Sequence, residues 1–485
     1  MLFNSFSFLI FFPIVFLVYW ILPHSLRRLF LLVASCYFYA SLIPKYIFIL
    51  FFIITADYFL AFLVNKQTGK RRALFLMMSI LINIGTLFLF KYFNFFNENI
   101  GVFAKMIHWN YTPSLLTFVL PLGLSFHVFQ SLSYMIEVYR KNYSPEKNFI
   151  TYALYVMFFP QLVAGPIERP AHLLPQLSAY HKFDPSLARK GLERMLWGFF
   201  KKLVIADQIA QIINPLFTTN QSNGLIVMAM AVLFTYQLYC DFSGYTDIAL
   251  GTAMMLGISL RENFNRPFAA SSFTDFWHRW HMSLSTWFRD YVYFSLGGSK
   301  VSKIKWIRNL LITFFLSGFW HGANWTFIVW GLINGVYLIF EQVTRRVRNW
   351  FVSTIGLINF PKLNKAIHTV VVFSFTSLAF LFFRAVSISQ AWFMVSHIFS
   401  GISINYLAHS FLQTLTKTSG NILFAFIILS IVILEVVQYF QSEKKTLYIF
   451  DSRSRFLRYG WYYCLAVMII LFGYFDSQSF IYFQF

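Results

Sequence analysis

Apolar residues in this chain come in long blocks separated by short polar loops. Leu2–Leu22, Ala73–Phe90, Leu310–Phe340 and Tyr459–Phe475 are the clearest blocks, each apolar and long enough to cross the hydrocarbon core of a bilayer as a helix. Carried along the whole chain, the pattern predicts an all-α polytopic membrane protein of about ten or eleven spans. Three stretches depart from simple spans. Phe149–Ile167 ends in Phe159-Pro160-Gln161-Leu162-Val163-Ala164-Gly165-Pro166, and its prolines and glycine favour a re-entrant hairpin over a straight helix. Leu310–Phe340 is longer than a bilayer requires. A break at Gly322-Ala323-Asn324 would divide it and leave His321 at a helix end facing a cavity. Between Leu187 and Asp207, basic pairs alternate with Leu196-Trp197 and Phe199-Phe200, which predicts an amphipathic helix lying in the inner interface.

Composition strengthens the membrane reading. Hydrophobic residues make up 58% and charged residues 12% of the chain, about half the charge of soluble domains. The net charge of +21 invites a nucleic-acid reading, but the basic residues sit in short loops: Arg27-Arg28, Lys66–Arg72, Arg140–Lys147, Arg189–Lys202, Lys300–Arg308, Arg345–Arg348 and Lys444–Arg458. Alternate loops such as Thr218–Gly224 carry almost none. That is the positive-inside pattern of a multi-pass protein among membrane lipids; nucleic acid would require a basic face on a soluble domain. It places the N-terminus outside and the basic loops inside, and it carries the tail 476–485 out again. The first block lacks a preceding basic residue and a following small-residue cleavage site, so it is expected to be a retained span. No linker or internal repeat is visible, and residues 1–485 are expected to form one membrane domain. Cys36, Cys240 and Cys464 are far apart and suggest neither a disulfide framework nor a zinc site.

Candidate chemistry concentrates in three clusters. His321 lies within Ser317-Gly318-Phe319-Trp320-His321-Gly322-Ala323-Asn324, inside a block with no Asp, Glu, Lys or Arg. An ionisable group at membrane depth is costly and is therefore a functional candidate, and imidazole exchanges protons near neutral pH. Against this stands a histidine merely satisfied by an interhelical hydrogen bond. The second cluster, Asp275-Phe276-Trp277-His278-Arg279-Trp280-His281-Met282-Ser283-Leu284-Ser285, would place His278 and His281 on one face if helical. A third metal ligand is not in evidence, and the mixture of Trp, His and Arg also suits a membrane-surface helix. The third cluster spans Tyr236 to Asp247. Asp241 and Asp247 are read there as structural carboxylates that cap helix ends and pair with basic residues, with acids of a polar tunnel as the alternative. Asp57 and Glu137, also in apolar runs, are expected to pair with a nearby Arg or Lys.

Taken together, Pro160–Ile167, Tyr239-Cys240-Asp241-Phe242-Ser243-Gly244-Tyr245, Trp280–Ser285 and Trp320-His321-Gly322-Ala323-Asn324 resemble the membrane-bound O-acyltransferase family over essentially the whole chain. The resemblance is to its bacterial branch, which serves alginate and peptidoglycan O-acetylation and teichoic-acid D-alanylation. It implies a helical bundle with re-entrant segments around a central tunnel in the bacterial cytoplasmic membrane. It implies acyl, most simply acetyl, transfer from acetyl-CoA or another acyl thioester, with no bound cofactor or metal, to an exported cell-envelope polysaccharide. His321 takes the place of the family's catalytic histidine and His281 that of its second histidine. Relatives often carry arginine where this chain has His278, which puts a chemical role for His278 in doubt. Phe480-Ile481-Tyr482-Phe483-Gln484-Phe485 resembles the branch's aromatic tail, implying Tyr482 as an acyl carrier that hands over to an extracytoplasmic esterase-like acetyltransferase partner. Asn324 is a candidate oxyanion donor, and the basic rims Arg189–Lys202 and Lys300–Arg308 suit the phosphates of coenzyme A or an acidic carrier. A proton-coupled transporter or flippase using His321 and Asp241 is the competing class, one in which inverted repeats are common.

Overall fold

The computed structural model describes all residues except 42, 119, 164, 220, 404, 405, 407–409, 418, 419, 444–454, 476–479 and 482–485. Most of the basic loop Lys444–Arg458, most of the tail 476–485, and Tyr482 itself therefore lie outside the described residues. Among those described, every regular element is helical. Seven helices are long and apolar enough to cross a membrane: Pro44–Lys66, Gly69–Met106, Gly224–Met255, Trp325–Val343, Pro361–Arg384, Gly420–Gln441 and Arg455–Phe472. Phe6–Ile21 is a shorter apolar helix. The block Leu310–Phe340 thus contributes one qualifying span rather than two, because its first half merges with the basic start of a helix at Lys303.

The chain forms two compact units, Met1–Met195 with Tyr245–Arg261, and Leu196–Gly244 with Glu262–Phe485. The first holds α1 (Phe6–Ile21), α2 (His24–Ala40), α3 (Ile47–Lys66), α4 (Gly69–Leu87), α5 (Phe93–Met106), α6 (Leu124–Tyr139), α7 (Phe149–Met157), α8 (Phe159–Leu162) and α9 (Pro170–Ser178). Residues 149–167 do break, as their prolines require: α7 stops where Phe158 leaves the helical region, and Pro160 occupies the first turn of α8. Burial of Asp57 is handled by neutral partners, which differs from the expected Arg or Lys. Ser79 Oγ donates to it at 2.6 Å and Asn83 Nδ2 at 2.8 Å, so the carboxylate gains hydrogen bonds without burying a second charge. Glu137 lies 4.0 Å from Arg140 and accepts from Asn142 Nδ2 at 2.9 Å.

Helices α10 (Pro185–Phe199), α11 (Asp207–Phe217) and α12 (Gly224–Met255) lead into the second unit. There follow α13 (Phe273–Trp277), α14 (Met282–Phe288), α15 (Lys303–His321), α16 (Trp325–Val343), α17 (Arg345–Thr354), α18 (Pro361–Arg384), α19 (Ile388–Ser396), α20 (Leu412–Thr416), α21 (Gly420–Glu443) and α22 (Arg455–Phe472). The amphipathic interfacial helix expected over Leu187–Asp207 is not what forms at its second half. Phe200–Ala206 make a widened π-helical turn in which every residue is buried, Lys201 and Lys202 included. Local pattern showed basic and aromatic residues in alternation; it could not show that Asp241 and Ser243 from α12 would meet Lys202 and Lys201 and permit their burial.

The hairpin of α15 and α16 depends on close backbone approach. A Cβ on Gly318 would sit 2.3 Å from the Phe327 carbonyl oxygen, and one on Gly331 would sit 2.3 Å from that of Phe314. Only glycine permits this spacing, as small residues do at membrane-helix interfaces.

Candidate active site

His321 is the last residue of α15. The chain then extends through Gly322 (φ −164°, ψ 151°) and restarts at α16, so the break predicted at Gly322-Ala323-Asn324 is present. The His321 ring is buried among aromatic rings, with centroids 4.9 Å from Trp320, 5.0 Å from Trp330 and 5.2 Å from Phe383. Asn324 caps α16: its Oδ1 accepts the Thr326 N–H at 3.0 Å, and its Nδ2 points to the Val386 carbonyl at 3.4 Å. Those contacts give it a structural task beside His321.

The second histidine arrives by a different backbone device. No helix carries both His278 and His281, so the shared helical face expected for them does not form. α13 ends at Trp277, His278 is exposed, and the chain turns through His281 in the left-handed region at φ 42°, ψ 53° before α14 begins. That conformation costs a side-chain-bearing residue about 1–3 kcal/mol and persists only where its surroundings over-determine it. They do here: Met282 N–H donates to the Asn263 carbonyl at 2.9 Å, Ser283 N–H to Asn263 Oδ1 at 3.3 Å, and Asn265 N–H to the Arg279 carbonyl at 3.0 Å. The result buries the His281 ring edge-on against Phe242 at 4.6 Å and within 6.2 Å of the Trp320 ring. Burial pushes its pKa down to about 3, so the imidazole is neutral at physiological pH. Both histidine rings therefore approach one indole, that of Trp320, with centroids at 6.2 Å and 4.9 Å.

Behind Phe242 lies a cluster of buried charge that the sequence pattern did not reveal. Lys202 Nζ is 2.7 Å from Asp241 Oδ1 and 2.8 Å from Asp207 Oδ1. Burial disfavours the ammonium, but the two carboxylates outweigh it and hold the Lys202 pKa above its ordinary value. Removing one member of such a pair would strand a buried charge at a cost of about 3–5 kcal/mol. Lys201 donates to Ser243 Oγ at 3.0 Å. These two lysines are thus committed inside the protein and are not part of a phosphate-binding rim. Asp241 lies inside α12 rather than at a helix end, and so does Asp247, which pairs with Arg194 at 2.9 Å. The spacing Lys202 to Asp207 was the one available sequence signal, and it is common in surface helices too.

Asp241 has one further contact. Its Oδ2 accepts the backbone N–H of Ile481 at 2.8 Å, and both Phe480 and Ile481 are buried, with the Phe480 ring 5.8 Å from Phe242. Nearby, Tyr474 N–H donates to the Leu203 carbonyl at 3.1 Å, and Gln208 Nε2 donates to that of Phe472 at 2.7 Å. Residues 480 and 481 therefore lie beside Phe242, the ring that meets His281, and its neighbour Asp241.

Comparison with known proteins decides the family. Residues 146–385, which include His281 and His321, match the model of the membrane-bound O-acyltransferase family. The probable alginate O-acetylase of Azotobacter vinelandii is 36% identical over 408 residues, 82% of this chain and 78% of its own. The chain belongs to the membrane-bound O-acyltransferase family. The peptidoglycan O-acetyltransferase of Helicobacter pylori is 32% identical over 459 residues, 87% of this chain and 85% of its own. The teichoic acid D-alanyltransferase of Streptococcus thermophilus is 28% identical over 307 residues, 59% and 72% of the two chains. The protein is accordingly an O-acyltransferase, all-helical among the described residues and multi-pass.

Proposed function

We propose that this acyltransferase, in the bacterial cytoplasmic membrane, moves an acetyl group from a cytoplasmic thioester such as acetyl-CoA toward an exported cell-envelope polysaccharide. The observation that carries the reading is the pair of buried histidines whose rings both approach Trp320, with Phe480 packed on the Phe242 ring that meets His281. The relatives named for alginate and peptidoglycan O-acetylation favour acetyl and a polysaccharide acceptor.

In this mechanism His321 is the general base and removes the proton of the Tyr482 hydroxyl as its oxygen attacks the thioester carbonyl. The C–O bond forms, the C–S bond breaks, and the thiolate leaves with the proton returned by His321. The acyl ester on Tyr482 then passes to a serine of an extracytoplasmic esterase-like partner and on to the polymer. His281, neutral and fixed by its left-handed turn, orients the reactants. Enclosure by Trp320, Trp330 and Phe383 excludes water, which favours transfer over hydrolysis, and a tethered hydroxyl acts at high effective concentration.

The test is Tyr482→Phe, which removes one oxygen and keeps the ring. Acylation of the exported polymer should stop while donor binding persists, and intact-mass analysis of the wild-type C-terminal peptide should show an acetyl adduct. Normal polymer acylation in Tyr482→Phe would reject the carrier step and leave His321 acting directly on the final acceptor.

A further inference from the structure

A tail that delivers an acyl group needs its register fixed, and one hydrogen bond in this structure does that for the residue next to Tyr482. We infer that Asp241 is a positioning residue for acyl transfer: its carboxylate, oriented by Lys202, grips the Ile481 backbone N–H and sets where the tail stops relative to the two histidines. The inference rests on the carrier reading above.

Three observations carry it. Asp241 divides its oxygens between two tasks, Oδ1 on the Lys202 ammonium at 2.7 Å and Oδ2 on the Ile481 N–H at 2.8 Å. Lys202 is itself anchored by Asp207 at 2.8 Å, so the carboxylate cannot swing away without breaking a buried ion pair. A hydrogen bond to an ionised acceptor is about twice as strong as one between neutral groups. Contact through a main-chain N–H reads position and not side-chain identity, which is what setting a register requires. The neighbouring residue on each side of this bond also faces the site: Phe480 packs on Phe242, and Phe242 packs on His281. A purely structural ion pair would be complete with Lys202 and Asp207. The second oxygen of Asp241 is committed to the tail instead.

Two substitutions break the grip from opposite sides. Ile481→Pro removes the N–H and leaves all three charged residues in place. Asp241→Asn keeps the shape but offers one oxygen where two are used; when that oxygen faces Lys202, the amide N–H₂ meets the Ile481 N–H. Each variant, purified as the full chain and checked for an intact thermal transition, should lose at least tenfold in kcat for acyl transfer, with KM for the thioester within about twofold. Because both act through one bond, the double variant should be no worse than the worse single variant, whereas independent structural damage would multiply. Hydrogen–deuterium exchange at the Ile481 amide reads the bond without reference to chemistry: protected in the wild type, fast in Asp241→Asn. If Tyr482→Phe abolishes transfer while both grip variants retain wild-type kcat, the carrier reading stands and the positioning role fails. If Tyr482→Phe is silent but the Ile481 amide loses protection in Asp241→Asn, the grip stands and the carrier reading fails. Higher transfer rates in Ile481→Pro would overturn the proposal, since the docked tail would then be an obstruction.

Discussion

His127 in the first unit and His281 and His321 in the second are buried to nearly the same extent, at 2%, 1% and 5% exposure, yet they sit in the backbone differently. His127 lies in the first turn of α6, where its own N–H donates to the Gly123 carbonyl at 3.0 Å; its ring meets Tyr39 edge-on at 6.1 Å and donates to the backbone at Val156. His281 and His321 both sit between two helices, one at a left-handed residue just before α14 and the other at the end of α15 before an extended glycine. A histidine at a helix break adjoins main-chain groups that no helix uses, and it can approach a reacting group that a continuous cylinder would hold off. Burial alone therefore does not distinguish the candidate histidines from His127; position at a break between two helices does.

The comparison is broken most directly at His321. His321→Ala should leave an inserted, folded protein and lower the rate of acyl transfer on the order of a hundredfold or more, the scale of a lost general base. Retention of full activity would end the case for its role. Next in size, His281→Ala should cost about tenfold in kcat/KM, because an orienting group contributes less than the base. His278→Ala, on an exposed side chain, should cost less than His281→Ala; equal losses restored by added zinc would revive a metal site.

His127→Ala sharpens the contrast from the other side. It should lower thermal stability by an amount typical of a buried truncation, about 1–3 kcal/mol, with kcat/KM of the folded fraction within about twofold of wild type. A kinetic defect as large as that of His281→Ala would show that interruption of the helix is not the distinguishing feature.

The smallest expected effect concerns His172, whose Nδ1 is 2.7 Å from the fully buried Glu168. That hydrogen bond, followed by the carboxylate's charge, raises the histidine's pKa. A group whose pKa is raised on folding stabilises the folded state fully below its unfolded value and loses that contribution as pH rises through the folded value. Melting temperature should therefore fall as pH rises above about 6.5. The partly exposed ring limits the shift to about a degree. A His172→Gln variant should lack this component; an unchanged pH profile would dismiss the pair as a contributor.

Several of these features were legible before any coordinates. The break after His321 followed from a block too long for one span with Gly322-Ala323-Asn324 in its middle, and the break after Met157 followed from Pro160. The buried lysines were not legible. Lys201 and Lys202 sit in a basic, aromatic stretch that looks interfacial, and the Asp241 carboxylate that Lys202 meets is 39 residues away, as the Ser243 hydroxyl that Lys201 meets is also distant. Asp57 misled in the opposite way: a carboxylate in an apolar run suggests a cation, whereas Ser79 and Asn83 satisfied it.

Hydrophobic blocks and loop charge by themselves determined that this chain is helical and crosses a membrane, because bilayer thickness and the cost of unpaired backbone groups act on local sequence. The four short motifs in order determined its family. Tertiary structure alone decided which ionisable groups meet. Asp241 meets both Lys202 and the Ile481 N–H, and His281 reaches the same Trp320 ring as His321. Such contacts depend on how distant helices pack and where their ends turn, and pairing energies between buried charges are set by separations of a few ångströms that no local pattern encodes.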